Sequence, residues 1–295
     1  DIFTYPTIEK MVQKIEKDEV HQEDNFESLN IKYKNILKRN MEIPTKVQNN
    51  NLGNILLIGV TGYLGIHILQ ELLENENSKI YVIIRKEPGM TIEQKLLDKM
   101  HYYFGEKYDK YIGERIIIFQ GDMTLDGFGL QQEDLFNVGN SVTTIINSAA
   151  KVSHYGNYQE FYNVNVKSVE KIIDFAKTFN CKVFHISTLS ISGNAFFEQY
   201  YLEQKFKEEQ IFTEKEFYIG QQFENVYVRT KFEAEQKILD SILDGVDSYI
   251  LRVGNLMPRI SDGKFQENIN ENAYMNRLKA LIKIGSIPEN LLNGY

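Results

Sequence analysis

Residues 55–65, Ile55-Leu56-Leu57-Ile58-Gly59-Val60-Thr61-Gly62-Tyr63-Leu64-Gly65, join a four-residue apolar run to three spaced glycines. A run of that length suits a strand buried on both faces. Beyond the glycines, His67, Ile68, Leu69, Leu72 and Leu73 recur at helical spacing, so the stretch reads strand, glycine turn, helix. The three glycines are expected to serve different ends. Gly59 permits a tight turn, Gly62 leaves room for a pyrophosphate against the backbone, and Gly65 lets the helix lie close on the sheet. The helix N-terminus adds free N–H groups and partial positive charge for the phosphates. The strand before and the helix after separate this from a chance glycine triplet.

Working outward, the alternation continues. Strands are expected at Ile80–Ile84, Ile116–Gln120, 142–146, 182–186 and Ser248–Val253, with helices at 91–104, 165–179 and 227–243. Such alternation predicts an α/β fold, a doubly wound parallel sheet with helices on both faces that binds its ligand at the carboxyl ends of the strands. The second strand ends at Arg85-Lys86, about 20 residues past the last glycine, where an NAD site would carry a carboxylate for the ribose hydroxyl. Arg85 is suited instead to a 2′-phosphate, with Lys86 as a second cation, so NADP(H) is the expected cofactor. Asp122, after the third strand, is placed to meet the adenine edge. Ser148, Ala149 and Ala150, after the fourth, are small enough to let the cofactor lie against backbone, although an ordinary core alanine pair would look the same.

Composition narrows the class. Of 295 residues, 42% are apolar, enough for a substantial core, and 33 basic against 41 acidic residues give a net charge of −8. The signs are interspersed, so no basic face for nucleic acid or anionic lipid is expected. Cys181 is the single cysteine, which excludes an internal disulfide and suits a reducing cytoplasm; no Cys/His spacing suggests a metal. No apolar run reaches membrane-spanning length, and the first residues lack a signal-peptide layout.

The flanks read differently. Residues 1–20 place Ile8, Met11, Val12 and Ile15 on one helical face after Thr7, a leader helix or the tail of a preceding domain. Residues 21–51 are expected to be a linker with a short helix at Ile36 and Leu37. Residues 52–256 hold the nucleotide-binding domain, interrupted by a polar and aromatic segment at 193–225 that suits a solvated face or a lid. The 39 residues from 257 to 295 are fewer than a small domain needs, so a C-terminal substrate subdomain is expected to be largely missing.

The chemistry is expected from Tyr227 and Lys231, four apart and therefore on one helix face, together with Ser187 and Thr188 at the end of the fifth strand. Hydride addition to a carbonyl builds charge on its oxygen, which calls for a donor able to release its proton. A free tyrosine, with a pKa near 10, is a poor one. A lysine ammonium about 4 Å away is worth on the order of 4 kcal/mol at an effective dielectric of 20, enough to bring the phenol into range. A hydroxyl from Thr188 or its competitor Ser187 would hold the same oxygen, and Lys231 would reach the nicotinamide ribose.

Taken together, GVTGYLG, GDM, NSAAKVSHYG, Asn165, the S-T-L-S-I-S-G run, Y-V-R-T-K and L-R-V-G-N resemble an extended short-chain dehydrogenase/reductase, and more narrowly the terminal thioester reductase domain of a nonribosomal peptide synthetase. That resemblance covers residues 52–295 and implies a Rossmann-type sheet. Its pattern, five residues before Gly193, selects Thr188 as the catalytic hydroxyl beside Tyr227 and Lys231. It also implies that Thr61, Tyr63, Leu64, Met123, Lys151, Asn165 and Val253 contact NADP(H). The implied reaction is reductive release of a carrier-bound acyl or peptidyl thioester as an aldehyde, or onward to an alcohol. The partner is an upstream carrier domain bearing phosphopantetheine, and the chain a monomeric module of a larger synthetase. Residues 1–20 resemble the tail of such a carrier. One departure is Ser168-Val169, where many relatives have Gly-Thr. The rival readings are a free-standing sugar-nucleotide epimerase or dehydratase, which Arg85 opposes, and a non-catalytic NADP-binding module, which has no use for a tuned phenol.

Overall fold

The computed structural model describes residues 27–39, 52–153, 156–193, 212–221, 223 and 225–286. The chain divides into two compact units, Asp1–Lys46 with Asn194–Gln222, and Val47–Gly193 with Phe223–Tyr295. The smaller unit contains helix α1 (Glu27–Arg39), whose Tyr33, Ile36 and Leu37 are buried at i, i+3 and i+4. Tyr33 meets the ring of Phe217 edge-on at 5.5 Å, and Asn30 exchanges hydrogen bonds with the Tyr218 backbone. The region expected to be a linker thus shares a small core with residues 212–221. The expected helix through Ile8 and Ile15 lies outside the described residues.

The larger unit is built on six parallel strands: β1 (Ile55–Ile58), β2 (Ile80–Ile84), β3 (Ile116–Gln120), β4 (Thr144–Asn147), β5 (Lys182–Thr188) and β6 (Ser248–Val253). Their order is β3-β2-β1-β4-β5-β6, so the chain reverses direction across the sheet between β1 and β4, where a doubly wound sheet opens its ligand crevice. Along β1 the side chains alternate between two cores. Ile55 and Leu57 join Ile66, Leu69 and Leu73 of α2 (Tyr63–Asn75) and Leu96 and Met100 of α3 (Ile92–Phe104) on one face. Leu56 and Ile58 join Val138 of α4 (Gln132–Ser141), Ile172 and Phe175 of a helix at Ser168–Phe179, and Ile238 of a helix at Val226–Leu243 on the other. Burial on both faces explains the unbroken apolar runs.

Three boundaries differ from the sequence reading in ways that matter for the site. β4 runs from Thr144 to Asn147, bringing Asn147 into register opposite His185. β5 continues through Ser187 and Thr188, which pair with Arg252 and Val253, so both hydroxyls sit on a fixed strand end. The helix expected from residue 165 begins earlier, as α5 (Tyr158–Tyr162), and passes through one π-turn at Asn163–Lys167 into α6 (Ser168–Phe179). That wide turn buries Asn165 and Val166 together, an arrangement a 3.6-residue period does not signal. The later helices are α7 (Val226–Leu243) and α8 (Ala273–Ile284).

Candidate active site

Two cavities meet at the glycine turn and share Thr61, Gly62, Ser148 and Ala150. The first, about 290 Å³, is lined by Gly59, Thr61, Gly62, Arg85, Asp122, Met123, Ser148, Ala149 and Ala150. The second, about 470 Å³, adds Tyr63, Leu64, Gly65, Ser187, Thr188, Tyr227, Lys231 and Val253. Together they form a trough over the strand ends, of a size suited to a dinucleotide and part of a substrate. Lys86, Lys151 and Asn165, expected to touch the cofactor, are not among the lining residues. Asn165 works behind the wall: its side chain accepts from the Lys151 N–H (2.8 Å) and donates to the Lys151 carbonyl (3.1 Å) and to Thr230 Oγ1 (3.0 Å), fastening the β4 loop to α7. The Lys151 ammonium pairs with Glu160.

Gly59 and Gly65 meet the turn and close-packing constraints expected of them. Gly59 has φ +89° and a Cβ there would stand 2.6 Å from the Ala149 nitrogen, so a side chain is excluded by conformation and by space. A Cβ on Gly65 would lie 2.1 Å from the Gly59 carbonyl oxygen, which fixes how closely α2 enters. Gly62 has an ordinary φ of −79° and a nearest neighbour at 3.3 Å, so what a side chain there would chiefly obstruct is the trough itself. No side chain caps α2 and no acidic residue stands in its first turn, leaving its N–H groups to an anion.

Beside the ends of β2 and β3, Arg85 is 70% exposed and reaches Asp122 at 4.0 Å. Asp122 also accepts from the Thr124 N–H (2.8 Å) and hydroxyl (2.7 Å), which fixes its orientation. The second cation beside the cleft is Lys95 of α3, which lines it, donates to the Arg85 carbonyl (3.3 Å) and pairs with Glu87 (2.5 Å). Glu87, the first carboxylate after β2, is thereby held below its usual pKa by the Lys95 hydrogen bond.

At the other end the groups are buried. Asn225 caps α7 by accepting from the Tyr227 N–H (2.8 Å), which starts the helix so that Tyr227 and Lys231 face β5. Burial raises the Tyr227 phenol above its ordinary value, and the hydrogen bond with Thr188 pulls it partly back. This reverses the shift expected from the four-residue spacing. Lys231 instead turns its Nζ down to the strand, donating to the Ile186 carbonyl (2.7 Å) and meeting His185 Nε2 (3.1 Å). Burial lowers the Lys231 ammonium to about 8, with Glu235 opposing the shift. Glu235, one turn on and fully buried, is paired at 2.9 Å with Arg252 of β6, which ties α7 to the edge strand.

Thr188 is the hydroxyl bonded to Tyr227; its Oγ1 also accepts from the Ser190 N–H (3.1 Å). Ser187 lines the same cavity, and its buried Oγ has no partner among the described residues. A buried hydroxyl without a partner costs on the order of 1–3 kcal/mol, so its place in the wall fits a ligand that supplies one. The glycine cradle, the uncapped helix and this orphan hydroxyl together fit a nicotinamide dinucleotide. His185 and Lys95 escaped the sequence reading, and Asn147 entered it only as the first residue of the NSAAKVSHYG motif. Among the described residues, no helix is long and apolar enough to cross a membrane, and no His/Cys/Asp/Glu cluster has metal-holding geometry.

Residues 57–294 match the family described as "Male sterility protein", an NAD-binding domain. Among solved structures, a thiolation-reductase di-domain from an archaeal nonribosomal peptide synthetase is 37% identical, with a TM-score of 0.75 over 91% of this chain and 68% of that one. The reductase domain of an aureusimine biosynthetic cluster is 27% identical, with a TM-score of 0.67 over 86% of this chain and 62% of that one. Among curated proteins, probable polyketide synthase 34 of Dictyostelium discoideum is 28% identical across 69% of this chain but only 7% of its own length. The chain therefore corresponds to a small part of such synthases.

Proposed function

The chain belongs to the male sterility family of NAD-binding domains and is an oxidoreductase of the reductase-domain kind, and from that premise we propose that it releases a carrier-bound acyl or peptidyl thioester by reduction with NADPH. The observation that carries this reading is that Thr188, Tyr227 and Lys231 line the larger cavity together with Gly62 and Gly65 of the glycine turn. The glycine turn and the α2 N-terminus would hold the pyrophosphate, Arg85 and Asp122 the adenosine end, and Ser187 and Lys231 the nicotinamide end. Arg85 favours a 2′-phosphate, because Glu87 is already engaged by Lys95.

Bound there, the cofactor supplies a hydride to the thioester carbon. The chain's own residues handle the oxygen. Thr188 and Tyr227 donate to it as charge develops, and burial keeps the phenol protonated and therefore a donor at neutral pH. Tyr227 is the proton source, and collapse of the resulting hemithioacetal expels the carrier's thiol and leaves an aldehyde. The balance is one thioester, one hydride and one proton in, one aldehyde and one thiol out. The partner is the carrier domain that presents the thioester on its phosphopantetheine arm.

The test is to mix the full chain with NADPH and a pantetheine-linked or carrier-bound acyl thioester, follow the loss of reduced-nicotinamide absorbance, and trap the aldehyde. Oxidation that tracks aldehyde release is expected. Absence of oxidation across short, long and aminoacyl thioesters would overturn the reading.

A further inference from the structure

Beneath the reactive wall Lys231 continues into a chain of buried polar side chains whose other two members, Asn147 and His185, have no part in the reaction. Asn147 ends β4, His185 lies opposite it on β5, and Lys231 comes down from α7; their exposures are 1%, 1% and 2%. The imidazole is bonded at both nitrogens, Nδ1 to Asn147 Nδ2 (3.2 Å) and Nε2 to Lys231 Nζ (3.1 Å). Asn147 is itself pinned, because its Oδ1 accepts from the Ala149 N–H (3.2 Å) in the loop that lines the cofactor trough.

With the imidazole neutral, the observed Asn147 orientation is compatible with one arrangement of protons and a Lys231 ammonium with another. With Asn147 oriented as above, Nδ2 donates to His185 Nδ1, the ring proton sits on Nε2, and Lys231 must accept it as a neutral amine. If Lys231 is an ammonium, Nε2 must accept, the ring proton moves to Nδ1, and Asn147 must turn its Oδ1 to meet it. That turn takes the acceptor away from the Ala149 N–H. Going from the ammonium state to the amine state, one proton leaves to solvent and the remaining ring proton passes from Nδ1 to Nε2. In neither state is the imidazole charged.

We infer that His185 is a positioning residue for the reduction: a permanently neutral imidazole that holds Lys231 and couples its charge to the Asn147–Ala149 turn under the cofactor. This rests on the reductase reading for its purpose, though not for its geometry. Burial and the neighbouring lysine hold His185 well below its ordinary pKa, and Lys231 near 8 puts both states within reach at working pH. The other ionisable groups near Lys231 are Tyr227 and Glu235 on its own helix, Arg252 on β6 paired to Glu235, and Lys99 with Glu267, an ion pair in the cavity wall.

The first test needs no substrate. Nitrogen-15 spectra of imidazole-labelled protein, with the five histidines resolved by comparison with His185→Gln, should show His185 neutral from about pH 6 to about 9.5 while its proton moves from Nδ1 to Nε2 as Lys231 titrates. An imidazolium in that range, or one unchanging tautomer, would overturn the inference. The second test is kinetic. His185→Leu removes an acceptor from the ammonium and should lower kcat about 10- to 100-fold with little change in cofactor KM, moving the alkaline limb of the kcat profile to lower pH; His185→Gln, which still offers a partner to Nζ, should recover most of kcat. Equal losses in the two variants that follow melting temperature, with the limb unmoved, would reduce His185 to a packing residue. If the ring proton exchanges as described but the wild type oxidises no thioester, the proposed reaction fails and the coupling stands; a turning-over enzyme with a static imidazole means the reverse.

Discussion

The two ends of the trough use charge in opposite ways. At the adenosine end Arg85 is mostly in solvent, 4.0 Å from Asp122, and Lys95 backs it from a neighbouring helix. At the nicotinamide end Lys231, His185 and Asn147 are almost wholly out of water, and each is bonded to the next. Solvated cations recognise an anion at small cost in folding, and their contribution is graded and screened by salt. Desolvated groups cost stability to bury, and in return they act in a medium where each hydrogen bond counts for more. Under the proposed function the solvated end would select the cofactor and the desolvated end would perform the reaction. Substitutions should divide accordingly.

The largest effect is expected from Tyr227→Phe. It removes one hydroxyl from a buried wall and leaves the ring, so folding and NADPH affinity should hold while kcat falls about 10²- to 10⁴-fold, the range for a lost acid in the transition state. Stopped-flow measurement of NADPH oxidation alongside a binding titration separates the two. A variant that loses affinity and rate together would break the proposed division between the ends.

Arg85→Ala should act the other way. Losing a charge-assisted pair to a 2′-phosphate is worth about 10- to 100-fold in NADPH affinity, with NADH affinity changed by less than about 3-fold and kcat at saturation unchanged. Lys95→Ala should follow the same pattern more weakly, because its ammonium is shared with Glu87. Equal losses for the two cofactors would reject the selecting role of Arg85.

How much of this was legible depended on sequence distance. The glycine turn could be read because strand, turn and helix are contiguous and each glycine answers a local constraint; the Gly59 φ of +89° and the close approach at Gly65 bear that out. Tyr227 and Lys231 could be paired because one helical turn joins them; their chemistry left Ser187 and Thr188 open, the family resemblance selected Thr188, and β5 presents Thr188 to the phenol. His185 was illegible. Its partners are 38 and 46 residues away and meet it only because β4 and β5 pair with Asn147 opposite His185, a register that depended on β4 reaching residue 147. Lys95 was hidden in the same way, looking like an ordinary polar position of α3 until the helix was laid against β2. The packing of α1 on residues 212–221 depends on contacts such as Asn30 with Tyr218, 188 residues apart, which no periodicity carries.

The smallest effect expected is on stability, and it sharpens the comparison by sign. His185 is neutral when folded, and its pKa is depressed, whereas the unfolded chain takes up a proton below about 6.5. The unfolded state then binds more protons, so this contribution is complete above about pH 6.5 and is lost as pH falls below it. Lys231 obeys the same sign in another window: with a folded value of about 8 against an ordinary 10.5, the unfolded state holds more protons between them, and stability rises with pH across that interval. Melting curves of His185→Gln should therefore be flatter than wild type on the acid side, and those of Lys231→Met flatter on the alkaline side, each by several degrees. Arg85→Ala, which alters an exposed pair worth about 0–1 kcal/mol, should shift the curve little at any pH. If instead the exposed end governed the pH dependence of melting, the buried groups would not be carrying the charge cost that their arrangement requires.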